Sequence, residues 1–140
     1  MTMLKMDHYT DPKPDPWPWP NFSPYELASN GDGSVQIDNE AGDKLQSLRT
    51  EWGKPLTLNS AYRDPIYNTS INGAKLSKHM LGQAFDISVR SWLKIDKQEF
   101  KELAWRHGFR GFGGYDSFIH IDIGRARKWG KSWAWPKVLK

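Results

Sequence analysis

Two short segments, residues 84–89 and 118–123, alternate apolar and polar side chains, and this pattern constrains the fold more than any other feature. Successive side chains of a β-strand point to opposite faces, so each segment is predicted to be a strand with one buried aliphatic face. The polar face carries Asp86 in the first segment and His120 in the second. If the two strands are neighbours, Asp86 lies beside His120. The side chains on the two predicted buried faces are Phe85, Ile87, Val89, Ile119, Ile121 and Ile123.

A third side chain that can bind a metal, His79, precedes the first strand, and Gly82 would permit the chain reversal between them. A catalytic zinc takes three protein ligands and leaves a fourth position for water. The chain has no cysteine, so the ligands would be nitrogen and oxygen atoms of His79, Asp86 and His120. The alternative is that both histidines are structural and Asp86 ends a turn. A single histidine in a protein is more often structural than a metal ligand.

Three motifs resemble one enzyme family. Residues 77–86 contain Ser-x-His-x-x-Gly-x-Ala-x-Asp, residues 60–63 are Ser-Ala-Tyr-Arg, and residues 118–124 contain Phe-x-His-x-Asp-x-Gly. Their order and spacing resemble the peptidase M15 family, in particular its D-alanyl-D-alanine carboxypeptidase-like branch. The resemblance covers residues 21–130 and includes Arg127 and Trp129.

This resemblance implies an activity and a fold. The activity is zinc-dependent hydrolysis of an amide bond in peptidoglycan stem peptides, with one Zn²⁺ ion held by His79, Asp86 and His120. The fold is of the α+β class and M15/hedgehog-like, with a small antiparallel sheet that carries the zinc site and helices packed on one side. A zinc-stabilised, non-catalytic cell-wall-binding module of the same fold is the main alternative.

The length of the chain favours one domain. The 140 residues are 38% hydrophobic and 14% aromatic, which suffices for one core but hardly for two. Residues 1–20 are predicted to form an arm rich in proline and tryptophan, whose tryptophans pack against the body. Residues 21–130 form the expected zinc peptidase domain. Residues 131–140 form a basic, tryptophan-rich tail that packs on the domain or extends from it.

Local patterns predict two helices. Asp38 or Asn39 is expected to cap a helix that ends at Gly53. Asp96 and Glu99 resemble a capping box that would begin the second helix.

Three connecting segments are also predicted. Residues 56–59 are expected to form a short strand, and residues 64–78 an irregular surface loop at the mouth of the site. Residues 113–115 are expected to form the turn into the last strand of the site.

Three residues are candidates for substrate binding. The resemblance implies that Arg63 binds a substrate carboxylate and assists at the oxyanion, because a guanidinium offers a planar fork of donors. An ordinary surface arginine is the alternative. Ser77 could bind substrate or fix the loop of His79, and Tyr115 could supply a hydroxyl group near the transition state.

The proton-transfer residue has two candidates. Asp116 precedes His120 by four residues, and Asp122 follows it by two on the same strand face. Asp116 could be the general base or only a turn residue, and Asp122 could be a base or could orient His120. Ser117 occupies the three-residue offset at which some family members carry an acid, and it cannot act as that base.

The charge pattern bears on partners. The formal net charge of +4 is too small to imply nucleic-acid binding by itself, and we do not expect it. Residues 125–140 contain six basic and no acidic residues. This segment could bind nucleic acid, anionic cell-wall polymers or membrane headgroups, or fold back on the core. We expect this segment to pack on the core, with a positive charge that favours approach to an anionic wall. We also expect the protein to be a monomer.

The sequence shows no apolar stretch of signal-peptide length in its first twenty residues and none long enough to span a membrane. We therefore expect synthesis in the cytoplasm, without an export signal or a membrane span. Action on the cell wall would then follow release by lysis or packaging in a virus particle. This suggests a bacteriophage lysin.

Overall fold

The computed structural model describes residues 2–140. Within these residues, four helices and seven strands follow one another, together with three short 3₁₀ turns. The helices are α1 (Pro24–Leu27), α2 (Asn39–Trp52), α3 (Pro65–Ser70) and α4 (Lys94–Arg106). The strands are β1 (Met3–Met6), β2 (Val35–Asp38), β3 (Leu58–Ser60), β4 (Ala84–Ser88), β5 (Gly111–Gly114), β6 (Phe118–Asp122) and β7 (Arg127–Gly130). The 3₁₀ turns are Lys78–Leu81, Ser132–Ala134 and Lys137–Leu139.

The larger sheet has five strands in the order β3-β4-β6-β5-β7. Its pairs are antiparallel except for β5 and β7, which run parallel. The predicted α+β fold is confirmed, with the refinement that one edge of the sheet is parallel. A separate two-stranded sheet joins β1 to β2.

The two alternating segments form β4 and β6, and their apolar sides face one core. Phe85 and Ile87 of β4 and Ile119 and Ile121 of β6 are fully buried. They belong to the same cluster as buried residues of α2 and α4, so the helices cover this face of the sheet. Burial of each such side chain contributes about 1.5–3 kcal/mol relative to exposure.

The predicted boundaries of α2 are confirmed. The Asp38 side chain accepts hydrogen bonds from the backbone N–H groups of Glu40, at 2.8 Å, and Ala41, at 3.3 Å. Gly53 ends the helix in a left-handed conformation with φ of 74°.

The predicted irregular loop over residues 64–78 is wrong at its beginning, where Pro65–Ser70 forms α3. The Asp64 side chain accepts a hydrogen bond from the N–H of Tyr67 at 2.9 Å, and Pro65 occupies the first turn. An N-cap followed by proline is a signal for a helix start. The polar composition of the segment obscured it.

The predicted start of the second long helix is also wrong. Helix α4 begins at Lys94, and its N-cap, Leu93, makes no side-chain hydrogen bond. Asp96 lies within the first turn and forms an ion pair with Lys54 at 3.2 Å. An acidic side chain in the first turn suits the helix dipole, so Asp96 stabilises the helix without capping it.

Two strands differ from their predicted bounds. Strand β3 spans Leu58–Ser60 rather than residues 56–59. Gly113 and Gly114, which were expected to lie in a turn, end strand β5. The turn into β6 therefore begins only at Tyr115.

Both ends of the chain contact the core. Trp19 is buried, and its indole N–H donates to the Asp43 carboxylate at 2.9 Å. Ala134 is buried, and the indole N–H of Trp135 donates to the carbonyl oxygen of Trp129 at 2.8 Å. Within residues 2–140, no helix has the length and apolar character needed to cross a membrane.

Candidate metal centre

Strand pairing places Asp86 beside His120. The two residues are direct partners in the antiparallel register of β4 and β6. Directly opposite residues project to the same face of a sheet, so both side chains leave the face opposite the aliphatic core. The alternation seen in the sequence therefore predicted this contact.

A 3₁₀ turn brings His79 to the same face. The Ser77 side chain caps the turn by accepting a hydrogen bond from the N–H of His79 at 3.2 Å. Gly82 ends it with φ of 65°, and a Cβ at this position would overlap Gln36 and lie 2.9 Å from the Cα of Ile37. Only glycine satisfies both the left-handed backbone and this close approach to β2.

The three side chains converge on one point. One ligand atom of each residue lies within 4.8 Å of the other two. Asp86 Oδ1 is 3.1 Å from His79 Nε2 and 3.0 Å from His120 Nδ1. All three residues are buried. Two nitrogen atoms and one carboxylate oxygen in this arrangement could hold a single metal ion.

Outer hydrogen bonds determine which nitrogen each histidine presents. His79 Nδ1 lies 2.6 Å from the carbonyl oxygen of Ala61, which can only accept, so Nδ1 carries the proton. His120 Nε2 lies 2.6 Å from the Asp122 carboxylate, which likewise accepts. His79 Nε2 and His120 Nδ1 are therefore the atoms available to a metal, and both face Asp86. Such outer partners commonly orient histidine ligands at metal sites.

The site also shifts the protonation equilibria of its members. Burial by itself would raise the pKa of Asp86, but its contacts with His120 and His79 outweigh burial and hold the pKa well below its usual range. Burial lowers the pKa of His79. Burial acts in the same direction on His120, but its hydrogen bonds with Asp122 and Asp86 prevail and raise the pKa. Asp86 is thus a carboxylate at neutral pH, the form that binds a cation.

Asp122 holds His120 from a fully buried position. Besides the bond to His120, its carboxylate accepts two bonds from the Arg127 guanidinium, at 2.7 and 2.9 Å, and one from the N–H of Gly124 at 2.9 Å. These four hydrogen bonds use the full accepting capacity of the carboxylate. Although burial would raise the pKa of Asp122, the bonds from His120 and Arg127 lower it. Asp122 therefore positions His120.

Arg127 and Trp129 reach the site from β7 by passing over β5. In the strand register, Gly111 pairs with both Arg127 and Asp122, and Gly113 pairs with Trp129. A Cβ on Gly111 would overlap the Asp122 and Arg127 side chains, and one on Gly113 would overlap the indole of Trp129. The missing side chains of β5 thus let residues of β7 contact those of β6.

A cavity of about 640 Å³ lies over the three metal-binding side chains. All three predicted substrate-binding residues, Arg63, Ser77 and Tyr115, line it. The Ser77 hydroxyl group accepts a hydrogen bond from the backbone within its turn. The Tyr115 hydroxyl group accepts one from the indole N–H of Trp129 at 2.9 Å, and its ring stacks on Phe118.

Arg63 lies at the edge of the metal-binding cluster. Its Nη2 donates to Asp86 Oδ2 at 3.1 Å, its Nε donates to the Ser60 hydroxyl group at 3.1 Å, and its Nη1 lies 3.5 Å from Asn68 Oδ1. A guanidinium has five N–H groups, so two remain for a ligand in the cavity. Arg63 both holds the second oxygen of Asp86 and lines the cavity.

The structure does not bring Asp116 to this site. Its side chain is 87% exposed and forms an ion pair with Lys131 at 2.9 Å. Asp122 is close to the metal-binding atoms but is enclosed by its own donors. Among the described residues that line the cavity, Asp86 is the only one with a carboxylate.

Two functional elements were not assigned from the sequence. Gly111 and Gly113 make room for the residues of β7, and the signal was a glycine-rich segment directly before the histidine strand. Asn68, which is buried, contacts Arg63 and donates to the carbonyl oxygen of Ala74 at 3.0 Å.

Comparison with known proteins agrees with this geometry. A family model described as Peptidase M15 matches residues 20–122, which is more than half of the chain. The chain is 35% identical over 95 residues to the zinc D-Ala-D-Ala carboxypeptidase of Streptomyces albus G, covering 61% of this chain and 35% of that protein. It is 33% identical over 100 residues to the peptidoglycan L,D-endopeptidase MepK of Escherichia coli (strain K12), covering 66% of this chain and 54% of that protein.

The chain therefore spans between about a third and about a half of the length of these two relatives. The matched region contains His79, Asp86 and His120, and the resemblance noted in the sequence is confirmed. The protein belongs to the peptidase M15 family.

Proposed function

We propose that this protein is a zinc-dependent peptidase that hydrolyses an amide bond in peptidoglycan stem peptides. The observation that carries the proposal is the convergence of His79, Asp86 and His120, each with its ligand atom turned inward by an outer hydrogen bond. The names of the two relatives, a zinc D-Ala-D-Ala carboxypeptidase and a peptidoglycan endopeptidase, support the metal and the substrate class.

The donor set fits zinc. Zinc accepts imidazole nitrogen and carboxylate oxygen, and three protein ligands are typical of a catalytic site. When bound, zinc lowers the pKa of a water molecule and polarises a carbonyl group. The protein contributes a buried, preoriented set of ligands and a cavity beside them.

We propose that Arg63 binds the substrate. Arg63 lines the cavity beside the ligands, where its two remaining N–H groups can contact a stem-peptide carboxylate or a developing oxyanion. The hydroxyl group of Tyr115 can donate its own proton, because the bond from Trp129 uses it only as an acceptor. The proposed role of Ser77 is to position His79, with substrate contact secondary to that.

Neither aspartate considered from the sequence is assigned as the base. Asp116 is paired with Lys131 at the surface, and Asp122 is saturated by donors. The position of Asp122 supports a role in orienting His120 instead.

The experiment is the release of new amino groups from purified peptidoglycan. The zinc-loaded protein should release them, and a chelator or the Asp86→Ala substitution should abolish release. Asp7→Ala is the matched control, since Asp7 is exposed and has no side-chain hydrogen bond or ion pair among the described residues. Mass spectrometry of the muropeptides then identifies which bond is cut, and therefore whether the protein is a carboxypeptidase or an endopeptidase. Equal release by the wild type and by Asp86→Ala would refute the proposal.

A zinc-stabilised wall-binding module is the second candidate, and one observation favours it. Among the described residues, no carboxylate other than Asp86 lines the cavity, so a conventional acidic base is missing from its wall. This candidate predicts stoichiometric zinc and binding to peptidoglycan without release of amino groups.

We further propose that the protein acts as a monomeric lysin of a bacteriophage. The net charge of +4 supports action on the wall, because it favours encounter with an anionic polymer. Purified protein added to bacteria with a permeabilised outer membrane should clear the suspension, and Asp86→Ala should not. Persistent turbidity with zinc-loaded wild-type protein would contradict this role.

A further inference from the structure

A second cavity, of about 440 Å³, lies between the start of α4 and the C-terminal segment, away from the metal-binding side chains. Two indole rings and four lysines dominate its lining, and no acidic side chain among the described residues takes part. We call it the Lys/Trp groove. It is lined by Trp92, Lys94, Lys97, Gln98, Lys101, Trp133 and Lys140.

Lys101 is the unusual member of the groove. The residue is only 4% exposed, and among the described residues its ammonium group forms no ion pair. A buried cation is normally paired, because its desolvation is costly. Burial, and secondarily the neighbouring Lys140, lowers the pKa of Lys101 to about 8. The group is still charged in the majority of molecules at neutral pH, and the charge of Glu102 offsets the effect of burial only in part.

The acidic residues nearby supply only part of a counter-charge for Lys101, through Glu102. Lys101 also borders a cavity of about 810 Å³ that shares Gln98 and Lys140 with the Lys/Trp groove, and whose lining includes Glu51, Glu99 and Glu102. The Glu102 carboxylate accepts a hydrogen bond from the backbone N–H of Lys137 at 3.0 Å. The other charged side chains that line the Lys/Trp groove are all lysines.

The tryptophans give the groove flat apolar surfaces. Trp92 stacks on Trp52, and the ammonium group of Lys97 lies 5.2 Å from the centre of the Trp133 ring. The indole N–H of Trp133 donates to the carbonyl oxygen of Tyr115 at 3.2 Å. Tyr115 lines the cavity over the metal-binding side chains, so the groove adjoins the wall of that cavity.

Indole faces accommodate the apolar faces of sugar rings, and lysine ammonium groups act as point charges for phosphate. We propose that the Lys/Trp groove binds a phosphate-bearing polysaccharide of the bacterial cell wall, with Lys101 and Lys140 contacting its phosphate groups. The choice of a wall polymer rests on the proposed function. The groove would then hold the protein on the wall while the adjoining cavity acts on stem peptides.

The test is a pelleting assay with the full chain and Gram-positive cell walls, before and after hydrofluoric acid removes phosphodiester-linked polymers. We expect extraction to weaken binding of the wild type, and Lys101→Met to weaken binding to intact walls by roughly tenfold. Lys140→Met, at an exposed position that requires no repacking, should act in the same direction. Lys5→Met, which removes an exposed lysine on β1, should bind as the wild type does.

Hydrolysis of a soluble muropeptide, measured in parallel, separates this proposal from the proposed function. Lys101→Met should leave that rate unchanged if the protein is a peptidase. If no variant hydrolyses it but the binding differences persist, only the peptidase proposal fails. Equal wall binding by Lys101→Met, Lys140→Met and the wild type would overturn the proposed groove. Unchanged binding of the wild type to extracted walls would also overturn it. The same holds for displacement of the protein from walls by a single-stranded oligonucleotide at equal phosphate concentration.

Discussion

Arg127 and Asp122 are joined by two parallel hydrogen bonds, at 2.7 and 2.9 Å, that cross strand β5 above Gly111. The bidentate geometry fixes the Asp122 carboxylate, which in turn fixes the proton on His120 Nε2. The orientation of one metal-binding nitrogen thus depends on a residue two strands away.

Asp122→Asn should weaken zinc binding by about 10–100-fold, the usual effect of losing an outer partner of a metal ligand. The amide cannot accept from His120 and Arg127 as the carboxylate does, and it leaves the guanidinium without its counter-charge. Competition with a chromogenic chelator measures the affinity.

Asp116→Asn is the matched control for that substitution. Its ion pair with Lys131 is exposed and worth at most about 1 kcal/mol, so zinc affinity and peptidase activity should be retained. Loss of activity with full zinc content in Asp116→Asn would instead restore this residue as a base and contradict its placement here.

Gly82→Ala should destabilise the protein and weaken zinc binding, because the new Cβ collides with β2 and displaces the turn that carries His79. Gly53→Ala is its control, since Gly53 has a similar φ of 74° but its Cβ would meet only Glu51 O at 4.0 Å. The control should lose about 1–2 kcal/mol of unfolding free energy and no zinc affinity. Urea unfolding and chelator competition distinguish the two, and equal effects of both substitutions would refute this account.

Asp64 should make the stability depend on pH. Burial favours its neutral form, but donors from Ser29, Tyr67 and Asp32 outweigh burial and lower the pKa of Asp64 in the folded protein. Its contribution to the unfolding free energy is therefore complete above the unfolded pKa of about 3.9 and is lost as pH falls through the lower folded value.

Asp64→Asn should remove this contribution. The stability difference between wild type and Asp64→Asn should be largest above pH 5 and should shrink on acidification. Ser29→Ala, which removes one donor to the same carboxylate, should reduce the difference in part. Urea unfolding at a series of pH values measures it, and a difference that grows as pH falls would contradict the assigned direction.

The centre of the fold could be predicted from the sequence because its determinants are local. Alternation fixes which side chains share a strand face, so the placement of Asp86 beside His120 followed once β4 and β6 paired. The cap at Asp38 and the glycine after α2 similarly act through the nearest few residues.

The outer support of the site could not be predicted, since it depends on strands that are distant in the sequence. Glycines are poor strand formers, so residues 113–115 were predicted to form a turn. The function of Gly111 and Gly113 becomes evident only when β7 lies parallel to β5. The exposed position of Asp116 likewise follows from the length of β5, which moves the start of the turn two residues beyond the expected point.

The most direct test of the central claim is a zinc titration of chelated, metal-free protein, with release of amino groups from peptidoglycan as the readout. Activity should rise in proportion to added zinc and reach a plateau at one zinc per chain, and Asp86→Ala should remain inactive at every zinc concentration. Full activity before zinc is added, or none at one equivalent of bound zinc, would contradict the claim.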